Sequence, residues 1–379
     1  MEYWKITTPS LLMFGKGKSE LLPNVLIDLG FKKPFLIIDP EVRKTPKGSK
    51  LINSLEKFGI DIFDKFSTNP TTKHVQSLVE KLNQFNPDVI IGVGGGSTID
   101  VSKAANLVHK NGGLIEEYFN GKKPENNLLP MIFLPTTAGT GSEASPFAVI
   151  KDNSISSKRG IENLEFLPEL VILDPEFLET LDNVLVAATG VDAITHIVES
   201  YISKKANDLT RSSARGLLND IISNLECAVF NKNSDAYLKM MNAAFASRLL
   251  YPRTGLTIAH ALSHPLGAFT DIHHGLAVTF FLKDSIIFNR PDCEKALDDV
   301  SKLMGFGNID NFLDWLDEFF IKSGIYDEIY SYLITKNPPI KQMTIDAMKS
   351  SNIPTNPREV TIDDLEIVIE QSFKYWGLK

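Results

Sequence analysis

The first half of the chain alternates short apolar runs with amphipathic segments. Apolar-rich runs that predict strands lie at 34–39, 61–67, 89–93, 129–134 and 170–173. Segments with apolar residues at helical spacing lie between them, at 48–58, 71–85 and 98–110. Strands this apolar are covered on both faces, which is typical of parallel sheets between helices. The pattern predicts a mainly parallel, doubly wound α/β domain of the nucleotide-binding kind.

After Pro175 the strand signals stop and longer runs with helical spacing take over. These runs predict helices at 184–203, 208–230, 234–251, 255–266, 275–288, 293–304, 309–323 and 362–375. A chain of 379 residues is also long for a single core. We therefore expect two domains, an α/β dinucleotide-binding domain over 1–178 and an all-helical domain over 179–379.

Composition narrows the class of protein. The chain has 39 basic and 47 acidic residues, a net charge of −8, and 43% hydrophobic residues. This acidic balance argues against a nucleic-acid partner. No uncharged apolar run reaches the length of a membrane span, about twenty residues. Two cysteines argue against a disulfide framework, and the N-terminus lacks the pattern of a signal peptide, so we expect a cytoplasmic location.

Histidine is concentrated in two patches of the second half. The patches contain Asp192 with His196, and then His260, His264, His273 and His274. Residues four apart on a helix project from one face, and each patch contains such a pair. A carboxylate with several imidazoles suits a divalent ion such as Fe²⁺ or Zn²⁺. Any one of these histidines alone would be a paired core residue, but their clustering favours a metal site.

The strand that ends at Val93 runs into consecutive glycines and a serine, and a helix follows. Glycines let the backbone approach a ligand closely, and amides at a helix N-terminus attract a pyrophosphate. A tight turn without a ligand would have the same sequence. The candidate cofactor residues here are Gly95, Gly96 and Ser97, with Asp100 one turn further on.

Two further positions strengthen the dinucleotide hypothesis. Thr136, Thr137 and Thr140 follow the next strand and offer hydroxyls to ribose and phosphate at the carboxyl edge of the sheet. Asp39 ends an earlier strand, where a carboxylate would accept from ribose hydroxyls and repel a 2′-phosphate. It favours NAD over NADP, although an aspartate before Pro40 is equally common as a turn residue.

Four motifs together make the chain similar to a known family. They are Gly94-Gly95-Gly96-Ser97-x-x-Asp100-x-x-Lys103, Pro135-Thr136-Thr137-Ala138-Gly139-Thr140-Gly141-Ser142-Glu143, Asp192-x3-His196 and His260-x3-His264-Pro265-x8-His274-Gly275. In this order and spacing they resemble the iron-containing (group III) alcohol dehydrogenases, whose fold is dehydroquinate synthase-like. The resemblance covers nearly the whole chain and implies an active site in the cleft between two domains.

The resemblance also implies roles for individual residues. The implied metal ligands are Asp192, His196, His260 and His274, and His264 matches a histidine near the nicotinamide. Asn69 matches a loop on the adenine side, Phe147 a side chain beside the nicotinamide, and Lys158 a lysine that reaches the ribose. Where the family usually has proline before the last ligand, this chain has His273, which we expect to be exposed.

The implied activity is metal-dependent, NAD(P)-linked oxidation of a small primary alcohol, or reduction of the aldehyde. The resemblance implies Fe²⁺, with Zn²⁺ as the alternative because it binds such sites more tightly. An unperturbed histidine titrates near pH ~6.5, so His264 is the candidate for the proton relay. Relatives often pair through the edge of the sheet, so a homodimer is expected.

Three other functions are compatible with parts of this pattern. Some relatives reduce acidic aldehydes, such as phosphonate-bearing ones, and Arg159 or Arg253 would be the anion clamp. Dehydroquinate synthase-like lyases share the two-domain architecture and use NAD catalytically. A nucleotide- or metal-sensing module would bind the cofactor without turnover.

Overall fold

The computed structural model describes residues 7–155 and 157–378. The chain forms two compact units, the first ending at Leu181 and the second beginning at Asp182. The first is built on a parallel sheet and the second is helical, so the predicted fold class is confirmed. Among the described residues, no helix is long and apolar enough to cross a membrane.

The first unit is built around a six-stranded sheet. Its strands and those of an added hairpin are β1 (Leu11–Phe14), β2 (Pro34–Ile38), β3 (Asp61–Phe63), β4 (Val89–Gly94), β5 (Met131–Pro135), β6 (Phe147–Asp152), β7 (Ser157–Glu162) and β8 (Leu170–Leu173). The sheet order is β1-β8-β5-β4-β2-β3 with every pair parallel, whereas β6 and β7 form an antiparallel pair. Every residue of β2, β4, β5 and β8 is buried, as strands covered on both faces must be.

Helices connect these strands. They are α1 (Leu22–Asp28), α2 (Pro40–Lys44), α3 (Pro46–Leu55), α4 (Thr72–Phe85), α5 (Gly96–Asn111) and α6 (Ile115–Phe119). Helix α4 buries Val75, Leu78, Val79 and Leu82, the stripe that its spacing predicts. Helix α5 is buried along most of its length and starts directly after β4. It therefore positions the turn of residues 94–97, called the glycine turn below.

The second unit consists of helices in its described part. They are α7 (Asn183–Ile202), α8 (Asp208–Asn231), α9 (Ser234–Thr254), α10 (Ile258–Thr270), α11 (His274–Leu303), α12 (Ile309–Lys322), α13 (Ile325–Leu333), α14 (Ile340–Met348) and α15 (Ile362–Tyr375). Helix α7 is buried from Val186 to Ser200, which makes it the central helix of this unit. A helix that is apolar on all sides has to be enclosed by others.

Several predicted boundaries were wrong. The strand predicted at 61–67 ends at Phe63, because the charged residues after it leave the sheet. The helices predicted at 275–288 and 293–304, in contrast, correspond to the two parts of α11, which is interrupted at the non-helical Cys293 (φ −144°, ψ 24°), two residues after Pro291. Strands β1, β6 and β7 were not predicted. The apolar runs in β1 (LLMF) and at the start of β6 (FAVI) are only four residues long, too short to identify a strand by pattern alone, and β7 has no apolar run.

Candidate functional site

Three helices of the second unit bring the predicted metal ligands together. Asp192 and His196 lie on α7, His260 on α10, and His274 is the first residue of α11. The Oδ1 atom of Asp192 is 3.3 Å from Nε2 of His260 and 4.0 Å from Nε2 of His274. One potential ligand atom from each of these three side chains lies within 4.8 Å of the others. Asp192 and His260 are buried, and His274 is half-buried.

His196 lies beside this group, and its ring stacks on the rings of two neighbours. Its Nδ1 atom is 3.9 Å from Oδ1 of Asp192. The ring stacks on His260 at 4.5 Å and on Tyr251 at 5.1 Å between centroids. Three of the four predicted ligands therefore converge, and the fourth is adjacent to them.

Two glycines of these helices have close neighbours, and the one at Gly275 lets α11 approach α7. A Cβ atom on Gly275 would lie 2.9 Å from the carbonyl oxygen of Ala188, so the first turn of α11 touches the backbone of α7. A Cβ atom on Gly190 would lie 2.4 Å from a methyl carbon of Leu225 on α8. The contact at Gly275 needs glycine because its neighbour is backbone, whereas the atom next to Gly190 is the end of a flexible side chain.

His273 is half-buried and is the N-cap of α11. Its Nδ1 atom accepts a hydrogen bond from the amide of Gly275 at 3.2 Å. Capping of this kind satisfies an amide that has no partner within the helix. The structure thus gives the adjacent histidines different positions, with His273 at the cap and His274 beside Asp192.

Glu199, which the sequence reasoning did not single out, supports His260 from the side away from Asp192. Its Oε2 atom accepts from Nδ1 of His260 at 2.5 Å. Its Oε1 atom accepts from the amide of Ala259 at 3.0 Å and from the hydroxyl of Thr257. A carboxylate that holds one ring nitrogen of a histidine directs the other nitrogen toward a metal ion. The only sequence signal for Glu199 is its position two turns after Asp192 on the same helix face.

The electrostatics of the group fit a cation. Burial raises the pKa of Asp192, but the positive charges of His274 and His260 outweigh it and hold that pKa below its usual range. Burial lowers the pKa of His260, whereas Glu199 and Asp192 raise it, to about 9. Two buried carboxylates thus favour positive charge between them.

An oxygen of Asp192 gives a direct test of whether this group fits a metal ion. Its Oδ2 atom is buried and has no hydrogen-bond partner among the described residues. A buried carboxylate oxygen without a partner is costly, and coordination of a cation removes that cost. The donor set of one carboxylate oxygen and imidazole nitrogens also suits Fe²⁺ or Zn²⁺.

His264, the predicted proton relay, lies one turn after His260 on α10. Its ring centroid is 5.7 Å from that of His274, with the planes 28° apart. The side chain is half-buried. It is therefore next to the ligand group without being one of the three converging side chains.

The predicted cofactor residues belong to the first unit, where β4 ends in the glycine turn. Gly95 is the N-cap of α5, so the amides of the first helical turn follow it directly. Gly95, Gly96 and Ser97 are all half-buried. The hydroxyl of Ser97 donates to the carbonyl of Thr68, which places the segment containing Asn69 next to the turn.

The loop that contains Thr136, Thr137 and Thr140 packs against the glycine turn. The amide of Thr136 donates to the carbonyl of Gly94 at 3.1 Å. A Cβ atom on Gly95 would lie 3.3 Å from Thr137, and one on Gly96 would lie 2.9 Å from the hydroxyl of Thr140. The structure therefore brings these predicted cofactor residues into one group at the carboxyl ends of β4 and β5.

The remaining predicted cofactor residues have structural contacts of their own. One oxygen of Asp39 caps α2 by accepting from the amides of Glu41 and Val42. Both oxygens of Asp100 accept hydrogen bonds, from Ser142 and Val149. Phe147 is the half-buried first residue of β6, and Lys158 lies on β7, in the antiparallel pair outside the main sheet.

Comparisons with known proteins agree with this arrangement. The family model of iron-containing alcohol dehydrogenases matches residues 9–175, and the model of the C-terminal domain of Fe-containing alcohol dehydrogenases matches residues 186–373. The chain is 31% identical over 371 residues to alcohol dehydrogenase 4 of Schizosaccharomyces pombe, covering 96% of this chain and 88% of that protein.

Solved structures give the same result for the fold. A crystal structure of a 1,3-propanediol oxidoreductase matches with a TM-score of 0.89 and 28% identity, covering 98% of this chain and 100% of the other. The structure of sulfoacetaldehyde reductase from Bifidobacterium kashiwanohense with NAD⁺ matches with a TM-score of 0.87 and 26% identity, covering 98% and 99%.

Proposed function

This chain belongs to the iron-containing alcohol dehydrogenase family, and within it we propose that the enzyme interconverts a small primary alcohol and its aldehyde using NAD and a divalent metal ion. Its relatives are oxidoreductases that act on CH–OH groups. The observation that carries the proposal is the convergence of Asp192, His260 and His274 around a buried carboxylate oxygen that lacks a hydrogen-bond partner among the described residues.

The proposed ligands are Asp192, His196, His260 and His274. His196 is included because its Nδ1 atom is 3.9 Å from Oδ1 of Asp192 and its ring stacks on that of His260. Glu199 keeps the Nδ1 atom of His260 hydrogen-bonded, so that Nε2 faces Asp192. Fe²⁺ is the proposed ion and Zn²⁺ the alternative, because ligand type alone does not separate them.

The chemistry divides between the bound groups and the chain. When bound, the metal ion polarises the substrate oxygen, and the nicotinamide accepts or gives the hydride. The side chains hold and orient these groups and move a proton. His264 is the proposed proton relay, since its ring lies beside His274 and is half-buried.

NAD is the proposed cofactor, with NADP as the alternative. Asp39 directly follows β2, and one of its oxygens caps α2. A carboxylate at this position would disfavour the negative charge of a 2′-phosphate. The similar sulfoacetaldehyde reductase structure is described as a complex with NAD⁺.

The proposed substrate is neutral rather than acidic. Of the two arginines considered for an anion clamp, Arg159 is engaged by the carbonyl of Phe119 at 2.9 Å and by Asn120 at 3.0 Å. Reduction of an acidic aldehyde is the second candidate, because a sulfoacetaldehyde reductase is among the similar structures. Neutral and anionic aldehydes therefore have to be compared directly.

The test uses metal-free protein reconstituted anaerobically with Fe²⁺ or Zn²⁺. We expect nicotinamide absorbance to change with small neutral aldehydes, more with NADH than with NADPH. Faster turnover of anionic aldehydes would favour the second candidate. No net absorbance change during turnover of a substrate would favour a lyase, and cofactor binding without turnover would favour a sensor.

Metal content tests the ligand set separately. Asp192→Ala and His274→Ala should lose bound metal, because each removes a converging donor. His109→Ala is the matched control, since His109 lies on α5 and pairs with Asn83. Full metal retention in both ligand variants would contradict the proposed site.

A homodimer formed through β1 is also proposed. This strand ends the sheet among the described residues and exposes Leu11 (46%), Leu12 (41%) and Phe14 (55%). An exposed apolar edge strand is a template for pairing with a second copy. Light scattering should report a dimer for the wild type and for the control Ile27→Lys, whose side chain is 57% exposed on α1, and a monomer for Leu12→Lys. A monomeric wild type would contradict the dimer.

A cytoplasmic location is the last part of the proposal. Cys227 and Cys293 are both free thiols. Unpaired cysteines are typical of reducing compartments. Fractionation of the source cells with antibody detection would test this location.

A further inference from the structure

Helix α5 carries a fully buried lysine whose ammonium group binds a loop. The Nζ atom of Lys103 donates to three carbonyl oxygens, those of Ser142 at 2.7 Å, Ser145 at 2.8 Å and Phe147 at 2.9 Å. It also lies 3.3 Å from the hydroxyl of Ser142. An ammonium group has three donors, so these carbonyls match its full capacity.

Asp100, one turn earlier on α5, binds the same loop. Its Oδ1 atom accepts from the hydroxyl of Ser142 at 2.5 Å, and its Oδ2 atom accepts from the amide of Val149 at 3.0 Å. Ser142 thus contacts both charged side chains. Together Asp100 and Lys103 form a clasp that holds the backbone from residue 142 to residue 149.

The loop held by this clasp is the one that packs on the glycine turn. Its other end is fixed by the hydrogen bond from the amide of Thr136 to Gly94. Between these ends, the side chain of Thr140 is so close to Gly96 that a Cβ atom there would lie 2.9 Å from its hydroxyl. A shift of the loop would therefore move the wall of the proposed dinucleotide site.

Burying the charged group of Lys103 has a free-energy cost for folding. Transfer of an ammonium group to a fully buried position is unfavourable unless its hydrogen bonds are well formed, and here three backbone carbonyls accept them. An apolar residue at this position would leave those buried carbonyls without a donor. The geometry therefore fits a role in fixing where the carbonyls and hydroxyls of the loop lie.

We propose that Asp100 and Lys103 are positioning residues that set the affinity for the dinucleotide by holding the loop of residues 136–149 against the glycine turn. They act through the loop, since Lys103 donates to the carbonyls of Ser142, Ser145 and Phe147, and Asp100 accepts from Ser142 and Val149. The inference rests on the proposed NAD-dependent function and names residues that control its cofactor step.

The experiment compares Lys103→Met with the wild type, both with their metal. Lys110→Met is the matched control, because Lys110 lies on the same helix and is partly exposed. We expect the dissociation constant for NADH, measured by fluorescence, to rise about tenfold in Lys103→Met, the size expected from losing hydrogen bonds to a charged group. The KM for the nicotinamide should rise by more than kcat falls, and metal content should stay unchanged.

A milder variant covers the case in which Lys103→Met does not fold. Ser142→Ala removes the hydroxyl that donates a hydrogen bond to Asp100 but keeps the carbonyl that accepts one from Lys103. NADH affinity should fall about threefold, the effect of losing one modest hydrogen bond. Its thermal unfolding midpoint shows whether the fold is kept.

The outcomes separate the two proposals. A wild type that binds no NADH would overturn the proposed function and this inference with it. If the wild type binds NADH and a folded Lys103→Met variant binds it equally well, only the positioning role is overturned. If Lys103→Met does not fold, unchanged NADH affinity in Ser142→Ala has the same meaning. A lowered unfolding midpoint with unchanged NADH affinity would have the same meaning, because it shows a contribution to stability alone.

Discussion

Glu199 and His260 form a buried pair in which Oε2 of the carboxylate lies 2.5 Å from Nδ1 of the ring. The other oxygen of Glu199 is held by the amide of Ala259 and the hydroxyl of Thr257. The carboxylate therefore cannot turn without breaking three contacts. This rigidity fixes the ring of His260, and with it the direction of Nε2 toward Asp192.

The first prediction concerns this pair. Glu199→Ala removes the acceptor for Nδ1 and should weaken metal binding about 10- to 100-fold, the range seen when such partners of ligand histidines are removed. Glu199→Gln keeps one oxygen acceptor and should have a smaller effect. Metal affinity measured by competition with a chelator checks both, and equal affinity in Glu199→Ala and wild type would refute the orienting role.

The second prediction concerns Gly275. In Gly275→Ala the added methyl would lie 2.9 Å from the carbonyl oxygen of Ala188, so the first turn of α11 must move away from α7. Overpacking of this kind costs about 1–3 kcal/mol. His274 would move with the helix, and metal affinity should fall.

The matched control is Gly216→Ala on α8, where nothing lies within 4 Å of the added carbon. There alanine should be neutral or stabilise the helix by up to about 1 kcal/mol. Chemical denaturation and chelator competition measure the two effects. Similar results for the two variants would show that close packing at Gly275 does not position His274.

Sequence patterns were sufficient for the interior strands of the sheet and for the convergence of three of the four proposed metal ligands. The strands of the sheet interior are uniformly apolar, and Asp192 and His196 share a face because of helical spacing alone. The ring orientation of His196 was not predictable. It depends on Tyr251, a residue on another helix whose proximity only packing establishes.

Glu199 was missed for a related reason. Its position on the face of Asp192 is visible in the sequence, but its partner His260 belongs to a different helix. A lone acidic residue near the end of a helix has no pattern that distinguishes it from a surface residue. The edge strand β1 was missed although all four of its residues are apolar, because a run this short does not distinguish a strand from other structure.

The third prediction is a pH dependence in the first unit. Asp174 is buried and accepts from the amide and hydroxyl of Ser19, and Lys47 lies 3.1 Å away. Burial raises the pKa of Asp174, but the hydrogen bonds from Ser19 and the charge of Lys47 outweigh it and hold the pKa below its usual range. A lowered pKa in the folded state means that the carboxylate stabilises the fold above the unfolded value of 3.8.

That stabilisation should be lost as the pH falls from 3.8 through the lower folded value. Asp174→Asn removes the charge and should cost about 2 kcal/mol at pH 7, the size of a lost hydrogen bond to a charged group, because Lys47 keeps Glu176 as a partner. The difference in the free energy of unfolding between wild type and variant, measured by urea unfolding, should narrow below pH 3.8. A difference in unfolding free energy that stays constant with pH would show that ionisation of Asp174 does not contribute to stability.

The last prediction separates proton transfer from metal binding at His264. Its ring is 5.7 Å from that of His274, and it lies outside the three converging donors. His264→Ala should therefore keep its metal but lower kcat about 100-fold, the lower range for loss of a general acid or base. Added imidazole should restore part of the lost rate, because a small proton carrier can occupy the vacated volume. Loss of metal in step with activity would instead make His264 a ligand, and unchanged kcat would remove it from the proton pathway.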